Sequence, residues 1–182
     1  MNHTLATRWF RIRAWLSAIA VAVLLAGCAS YSGSTLVAGR STAAEVEGLM
    51  GTPSDKLTGD AGETVWFYPR GPAGRQTFAV RIGSDGIMRG IEQRLTVANV
   101  ARLLVDKSSS QDARALLGPP VSTGFFPRIQ RTVWEYKMVE GENVSSTSYF
   151  KALTLEFSGD GVLRKLTLQD DFIDLGGHCM DC

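Results

Sequence analysis

The chain closes on Gly176-Gly177-His178-Cys179-Met180-Asp181-Cys182, and a Cys-x-x-Cys pair beside a histidine can form a disulfide, exchange thiols or hold a metal ion. Its setting argues against the last two. A redox pair belongs at a helix N-terminus in a βαβ frame, whereas this one follows two glycines at the end of the sequence. Haem attachment needs the histidine after the pair, and His178, Cys179 and Cys182 are one donor short of a tetrahedral zinc site. A local disulfide between Cys179 and Cys182, or a bridge to another chain, is the expected chemistry in an oxidising compartment; no metal and no cofactor are expected. Catalysis has little to draw on. The only other histidine is His3, so a Ser-His-Asp triad cannot be built inside a folded domain. Nucleophile elbows, phosphate loops, dinucleotide fingerprints and His-Glu-x-x-His helices are all missing. Paired carboxylates stay open, since acids are scattered along the chain. The expectation is a protein that is not an enzyme.

The third cysteine has a more specific context. Arg8, Arg11 and Arg13 stand without an acid ahead of an apolar run from Ala14 to Leu25, which ends at Leu25-Ala26-Gly27-Cys28. This is the form of a secretory signal peptide, and the run is too short for the roughly 20 residues of a membrane-spanning helix. A buried N-terminal helix or an uncleaved signal anchor is the competing reading. Leu-Ala-Gly-Cys resembles the lipobox of bacterial lipoproteins. The resemblance implies cleavage between Gly27 and Cys28, diacylglycerol on the Cys28 sulfur, and, with Ala29 rather than aspartate next, a place on the periplasmic side of the outer membrane. Several acyl chains at about 0.8 kcal/mol per buried methylene make such an anchor effectively permanent. Loss of residues 1–27 removes three arginines and no acid, leaving 16 of the 19 basic residues against all 18 acids. Nothing in that balance points to nucleic acid as a partner.

What remains contains a repeat. Thr42-Ala-Ala-Glu45-Val46-Glu-Gly-Leu49-Met50-Gly51-Thr52-Pro53 aligns with Ser109-Ser-Gln-Asp112-Ala113-Arg-Ala-Leu116-Leu117-Gly118-Pro119-Pro120 at a constant offset of 67. Each copy has a hydroxyl with an acid three residues on, the pattern of a helix-capping box, followed by apolar residues at helical spacing. Each then has a glycine and a proline where the helix must stop. Thr64-Val-Trp66-Phe67-Tyr68 matches Thr132-Val-Trp134-Glu135-Tyr136, β-branched and aromatic as strands are. Phe78 to Gly86 matches Leu153 to Gly161, alternating strands closing on Asp-Gly hairpin turns, and the chain continues alternating through Ile87–Ile91 and Val162–Leu168. The spacing of Val97, Val100, Ala101, Leu104 and Val105 predicts a further helix over Thr96 to Asp106. Val139 to Tyr149, polar and holding Asn143-Val-Ser145, reads as a hairpin loop.

A lipobox followed by a capped helix ending in Leu-Gly-x-Pro, then Trp-x-Tyr, then an alternating strand ending at Asp-Gly, resembles the SmpA/OmlA (BamE-like) lipoprotein family over residues 37 to 171, twice over. The resemblance implies an α+β fold of two tandem BamE-like repeats, each with short helices packed on a three-stranded antiparallel sheet. The divisions are a signal peptide (1–27), a tether (28–36), repeat one (37–95), repeat two (96–171) and the cysteine-bearing tail (172–182). It also implies a non-catalytic protein-binding role as an accessory factor in outer-membrane β-barrel assembly, with barrel-assembly subunits as partners. Family members carry one such domain and this chain carries two, an arrangement that resembles, at fold level only, secreted inhibitors that clamp β-lactamases; binding or inhibiting another protein is the alternative. Candidate contact residues are Phe125 and Phe126, in a predicted loop before Pro127, and Trp66 and Trp134, although strand aromatics of this kind more often pack beneath their own helices.

Overall fold

A computed structural model describes residues 32–71, 75–140 and 149–171. The first half runs α1 (Ala43–Met50), β1 (Asp55–Thr58), β2 (Thr64–Pro69), β3 (Thr77–Ile82) and β4 (Met88–Gln93). The second runs α2 (Val97–Val100), α3 (Ser110–Leu117), β5 (Ser122–Phe126), β6 (Arg131–Glu140), β7 (Tyr149–Ser158) and β8 (Leu163–Asp170). Each half forms one antiparallel sheet in sequence order, β1-β2-β3-β4 and β5-β6-β7-β8, so the architecture is α+β. The sheets have four strands where three were expected. The extra strand in each is the first, an edge strand: β5 is exposed along its whole length and β1 is only four residues long. Neither offers the apolar alternation that marks a half-buried strand in a sequence.

The helices begin as their sequences require. Thr42 Oγ1 accepts from the Glu45 N–H at 3.2 Å while Glu45 accepts from the Thr42 N–H at 2.7 Å, and Ser109 and Asp112 repeat this at 3.1 and 2.7 Å. Both helices end on a glycine at positive φ, Gly51 at 86° and Gly118 at 82°, whose N–H donates back to Glu47 and Arg114 at 2.9 Å. With extended ψ this is a conformation essentially reserved for glycine.

The second helix is shorter than its periodicity suggested. It stops at Val100, and the chain turns through Asp106 at φ 63°, because Asp106 N–H must reach the Leu163 carbonyl at 2.8 Å and Ser108 must accept from Leu163 at 2.8 Å. The segment read as a tether repeats this turn. Leu36 N–H donates to Gly33 as Leu103 does to Val100, both at 3.0 Å. Val37 N–H donates to the Ser41 hydroxyl as Leu104 does to Ser108, both at 3.0 Å, and Gly39 reaches Met88 as Asp106 reaches Leu163, both at 2.8 Å. Gly33 is buried near Met50, Ile91 and Leu36, so residues 33–36 belong to the folded first half. Residues 28–31 of that tether lie outside the described residues, as does the body of the Val139–Tyr149 loop, whose ends are the last residues of β6 and the first of β7.

Each half has its own core between helix and sheet. Val46 and Met50 of α1 meet Trp66, Tyr68, Val80 and Ile82. Ala113 and Leu117 of α3 meet Tyr136, Met138, Leu153 and Leu155. Alternation along β2 sends Trp66 and Tyr68 toward α1 and Phe67 to the opposite face, yet Phe67 is 0% exposed. The second half covers it: a Cβ placed on Gly118 would lie 2.9 Å from the Phe67 ring and 2.7 Å from Thr77. Beside this contact Arg114 of α3 makes a two-pronged pair with Asp55 of β1, at 2.7 Å for each bond. The helix end of the second half thus sits on the bare sheet face of the first.

Candidate functional site

Two surface features could recognise another molecule. The first is the β5–β6 hairpin. Phe125 (58%), Phe126 (52%) and Ile129 (55%) are more than half exposed and Val121 stands beside them in sequence at 55%. Isolated exposed side chains of this kind are ordinary, but several large ones within a single hairpin, with Phe125 and Phe126 on opposite faces of the strand, make it a candidate contact surface. Among the described residues β5 pairs only with β6, so there its outer backbone edge is open to a further extended segment, the geometry of strand addition. Phe125 and Phe126 therefore lie in a strand rather than in the loop the sequence suggested, because the Gly124 position and the polar start of β5 hide its periodicity. From Leu116 to Trp134 the chain carries no acid and two arginines, Arg128 and Arg131, a charge balance that suits acidic groups at the margin of an apolar contact.

The second feature is a cleft of about 410 Å³ where the halves meet, walled by Pro69, Leu95, Pro119, Pro120, Val121 and Tyr136, with Arg75 and Lys137 at its edge. Those two cations are engaged by one acid: Arg75 pairs closely with Asp171, and Lys137 reaches it at 3.1 Å. The Arg75 and Lys137 charges hold the Asp171 carboxyl below the usual carboxylate range, hydrogen bonding from Arg75 being the chief cause. The rest of the lining is mostly apolar, with Gln76 and Thr77 as its buried polar members, and offers shape more than reactivity. Tyr136 Oη donates to the Gly118 carbonyl at 3.1 Å and burial pushes its ionisation well up. Tyr68, its counterpart, is pushed up to about 12, mainly by burial, and its hydroxyl has no hydrogen-bond partner among the described residues. Neither phenol can exchange protons near neutral pH.

The remaining residues singled out by sequence fall as follows. Trp66 lies in the core of the first half, its indole N–H donating to Thr64 at 3.1 Å and Lys56 capping its ring at 3.9 Å; this burial removes it from the surface candidates. Trp134 is half-buried against the core of the second half, 4.9 Å from the Phe157 ring. Its position reflects packing under α3 rather than display. Gly27, Cys28, His178, Cys179 and Cys182 lie outside the described residues. Among the described residues no group of three His, Cys, Asp or Glu side chains could hold a metal ion, and no helix is long and apolar enough to cross a membrane. The cleft and the charge pairs across the joint were not foreseen from sequence, since each joins residues from different halves, such as Asp55 with Arg114.

No protein family and no curated protein matches the chain. Two solved structures resemble it weakly. A DUF4309 family protein (YjgB) from Bacillus subtilis shares 17% identity at a TM-score of 0.28, over 75% of this chain and 82% of that one. A "putative beta-lactamase inhibitor protein" from Streptococcus mutans shares 13% at a TM-score of 0.28, over 71% and 82%. At this level of likeness neither bears on what the chain does.

Proposed function

We propose that the chain is a non-catalytic protein-binding lipoprotein, made of two tandem BamE-like units, that is held on the periplasmic side of the outer membrane by a lipid on Cys28 and serves as an accessory factor in β-barrel protein assembly. The observation that carries the binding role is the β5–β6 hairpin, where Phe125, Phe126 and Ile129 stand more than half exposed on an unpaired sheet edge. The anchor rests on the Arg-rich start, the short apolar run and Leu25-Ala-Gly-Cys28. A lipid at Cys28 confines the hairpin near the membrane, where effective concentration strengthens otherwise weak contacts. The non-catalytic reading rests on protonated phenols, on Asp171 at the cleft being engaged by Arg75 and Lys137, and on the lack of a histidine between His3 and His178. The test is a crosslinked pulldown of the full-length protein from detergent-solubilised outer membranes, with bound proteins identified by mass spectrometry. Barrel-assembly subunits should be recovered, and should be lost with Cys28→Ala. Outer-membrane fractionation without those subunits would reject the assembly role and leave the anchor; recovery of a single enzyme would instead favour an inhibitor.

A further inference from the structure

The joint between the halves mates two kinds of surface, the helix end of one half and the bare sheet face of the other, and among the described residues one surface of each kind is left over. The free helix end belongs to the first half, where a Cβ on Gly51 would meet nothing within 4 Å although its counterpart Gly118 is pressed on Phe67. The free sheet face belongs to the second half. Such a head-to-tail contact, repeated, would build a ring or a filament of many copies.

The residues at equivalent positions differ in a consistent direction. Asp55 faces Phe67 across β1 and β2, and Ser122 faces Glu135 across β5 and β6. Glu135 thus takes the place of fully buried Phe67, and is itself exposed, accepting from Ser122 Oγ at 2.7 Å. On the helix, Arg114 that grips Asp55 is replaced by Glu47. Were a second copy to add by the same joint, its Glu47 would meet Ser122 and Glu135 where Arg114 meets Asp55, and Glu135, with Lys137 two residues along the strand already held by Asp171, would be driven into the site that a phenyl ring fills. An unpaired buried carboxylate opposes association strongly.

We propose that these substitutions make the two unmated faces mutually repellent, so that half-on-half packing stops at two and the chain does not polymerise with copies of itself. This inference is independent of the partner and of the membrane anchor. It is tested with two variants of the full chain. One, Glu47→Arg, restores the basic helix end; the other, Ser122→Asp with Glu135→Phe, restores the acidic and aromatic sheet face. All three positions are at the surface, and unchanged melting temperatures would verify folding. Each protein is followed by sedimentation velocity in detergent, with micelles in excess and a reductant present to remove links through cysteine. The expected result is single chains for the parent and for each variant alone, and a one-to-one complex when the two variants are mixed, lost again when the Glu47→Arg partner is replaced by the parent. A mixture that stays as single chains at every concentration, a parent that self-associates, or a sheet-face variant that associates equally without its complement would overturn the proposal.

Discussion

Gly51 and Gly118 offer a controlled experiment on the joint, because the same glycine occurs twice in nearly the same backbone conformation and only one copy is pressed by the other half. Both have φ above 80° and extended ψ, a region that costs other residues about 1–3 kcal/mol, so alanine should carry that cost at either position. At Gly51 the added methyl meets nothing within 4 Å among the described residues. At Gly118 it would lie 2.7 Å from Thr77 Cγ2 and 2.9 Å from Phe67 Cδ1; Phe67 is fully buried and cannot swing away. Overpacking of this kind costs about 1–3 kcal/mol more. The predicted result is that Gly118→Ala destabilises the protein by about 1–3 kcal/mol beyond Gly51→Ala, a further drop of about 2–12 °C in melting temperature at about 2–4 °C per kcal/mol for a chain of this size. Urea unfolding followed by tryptophan fluorescence measures both variants on one scale. Equal losses at the two glycines would refute the reasoning, since they would mean that the second half does not press on Phe67.

Tyr136→Phe should cost about 1 kcal/mol by removing a buried hydrogen bond to Gly118, whereas Tyr68→Phe should be neutral or stabilising because its buried hydroxyl has no partner among the described residues; thermal melts of the pair would show it. The capping carboxyls of Glu45 and Asp112 are held below their ordinary ionisation by hydrogen bonds from Thr42 and Ser109. Their contribution is therefore present above the unfolded values of 4.5 and 3.8 and is lost as pH falls through the lower folded values. Unfolding titrations between pH 5 and about 2 should show this acid limb, and Glu45→Gln with Asp112→Asn should make it shallower, leaving the part carried by Asp85, Asp160 and Asp171. Ser109→Ala should cost about 1 kcal/mol at neutral pH.

Local chemistry was legible in the sequence wherever one element could satisfy it alone. The capping boxes at Thr42 and Ser109 and the glycine stops at Gly51 and Gly118 appear where their residue types demand. Strands β2, β3 and β7 follow from alternation over Thr64–Tyr68, Phe78–Ile82 and Leu153–Phe157. What escaped depended on partners distant in the chain. β1 and β5 are held by pairing with β2 and β6 and not by burial of their own side chains. The run Thr96 to Asp106 has helical spacing, but its second part turns away to bond with Ser108 and Leu163. Gly33 looked like part of a flexible lead, and its burial follows from the pocket left by Met50 and Ile91. Of the candidate site, Phe125 and Phe126 were singled out by type while their strand was not, and Trp66 was better explained by the core from the outset. The joint itself was invisible, since Phe67, Asp55 and Arg114 acquire their roles only when the halves meet.

The most direct test of the binding role places a photo-reactive amino acid at position 125, and separately at Gln169, an exposed residue of the opposite edge strand β8, in the full-length protein inside cells. Illumination should link position 125 to a barrel-assembly subunit, identified by mass spectrometry, while position 169 gives no such product. Labelling of the same subunit equally from both positions, or of none from position 125 in a protein that reaches the outer membrane, would contradict the claim that the β5–β6 hairpin is the binding surface.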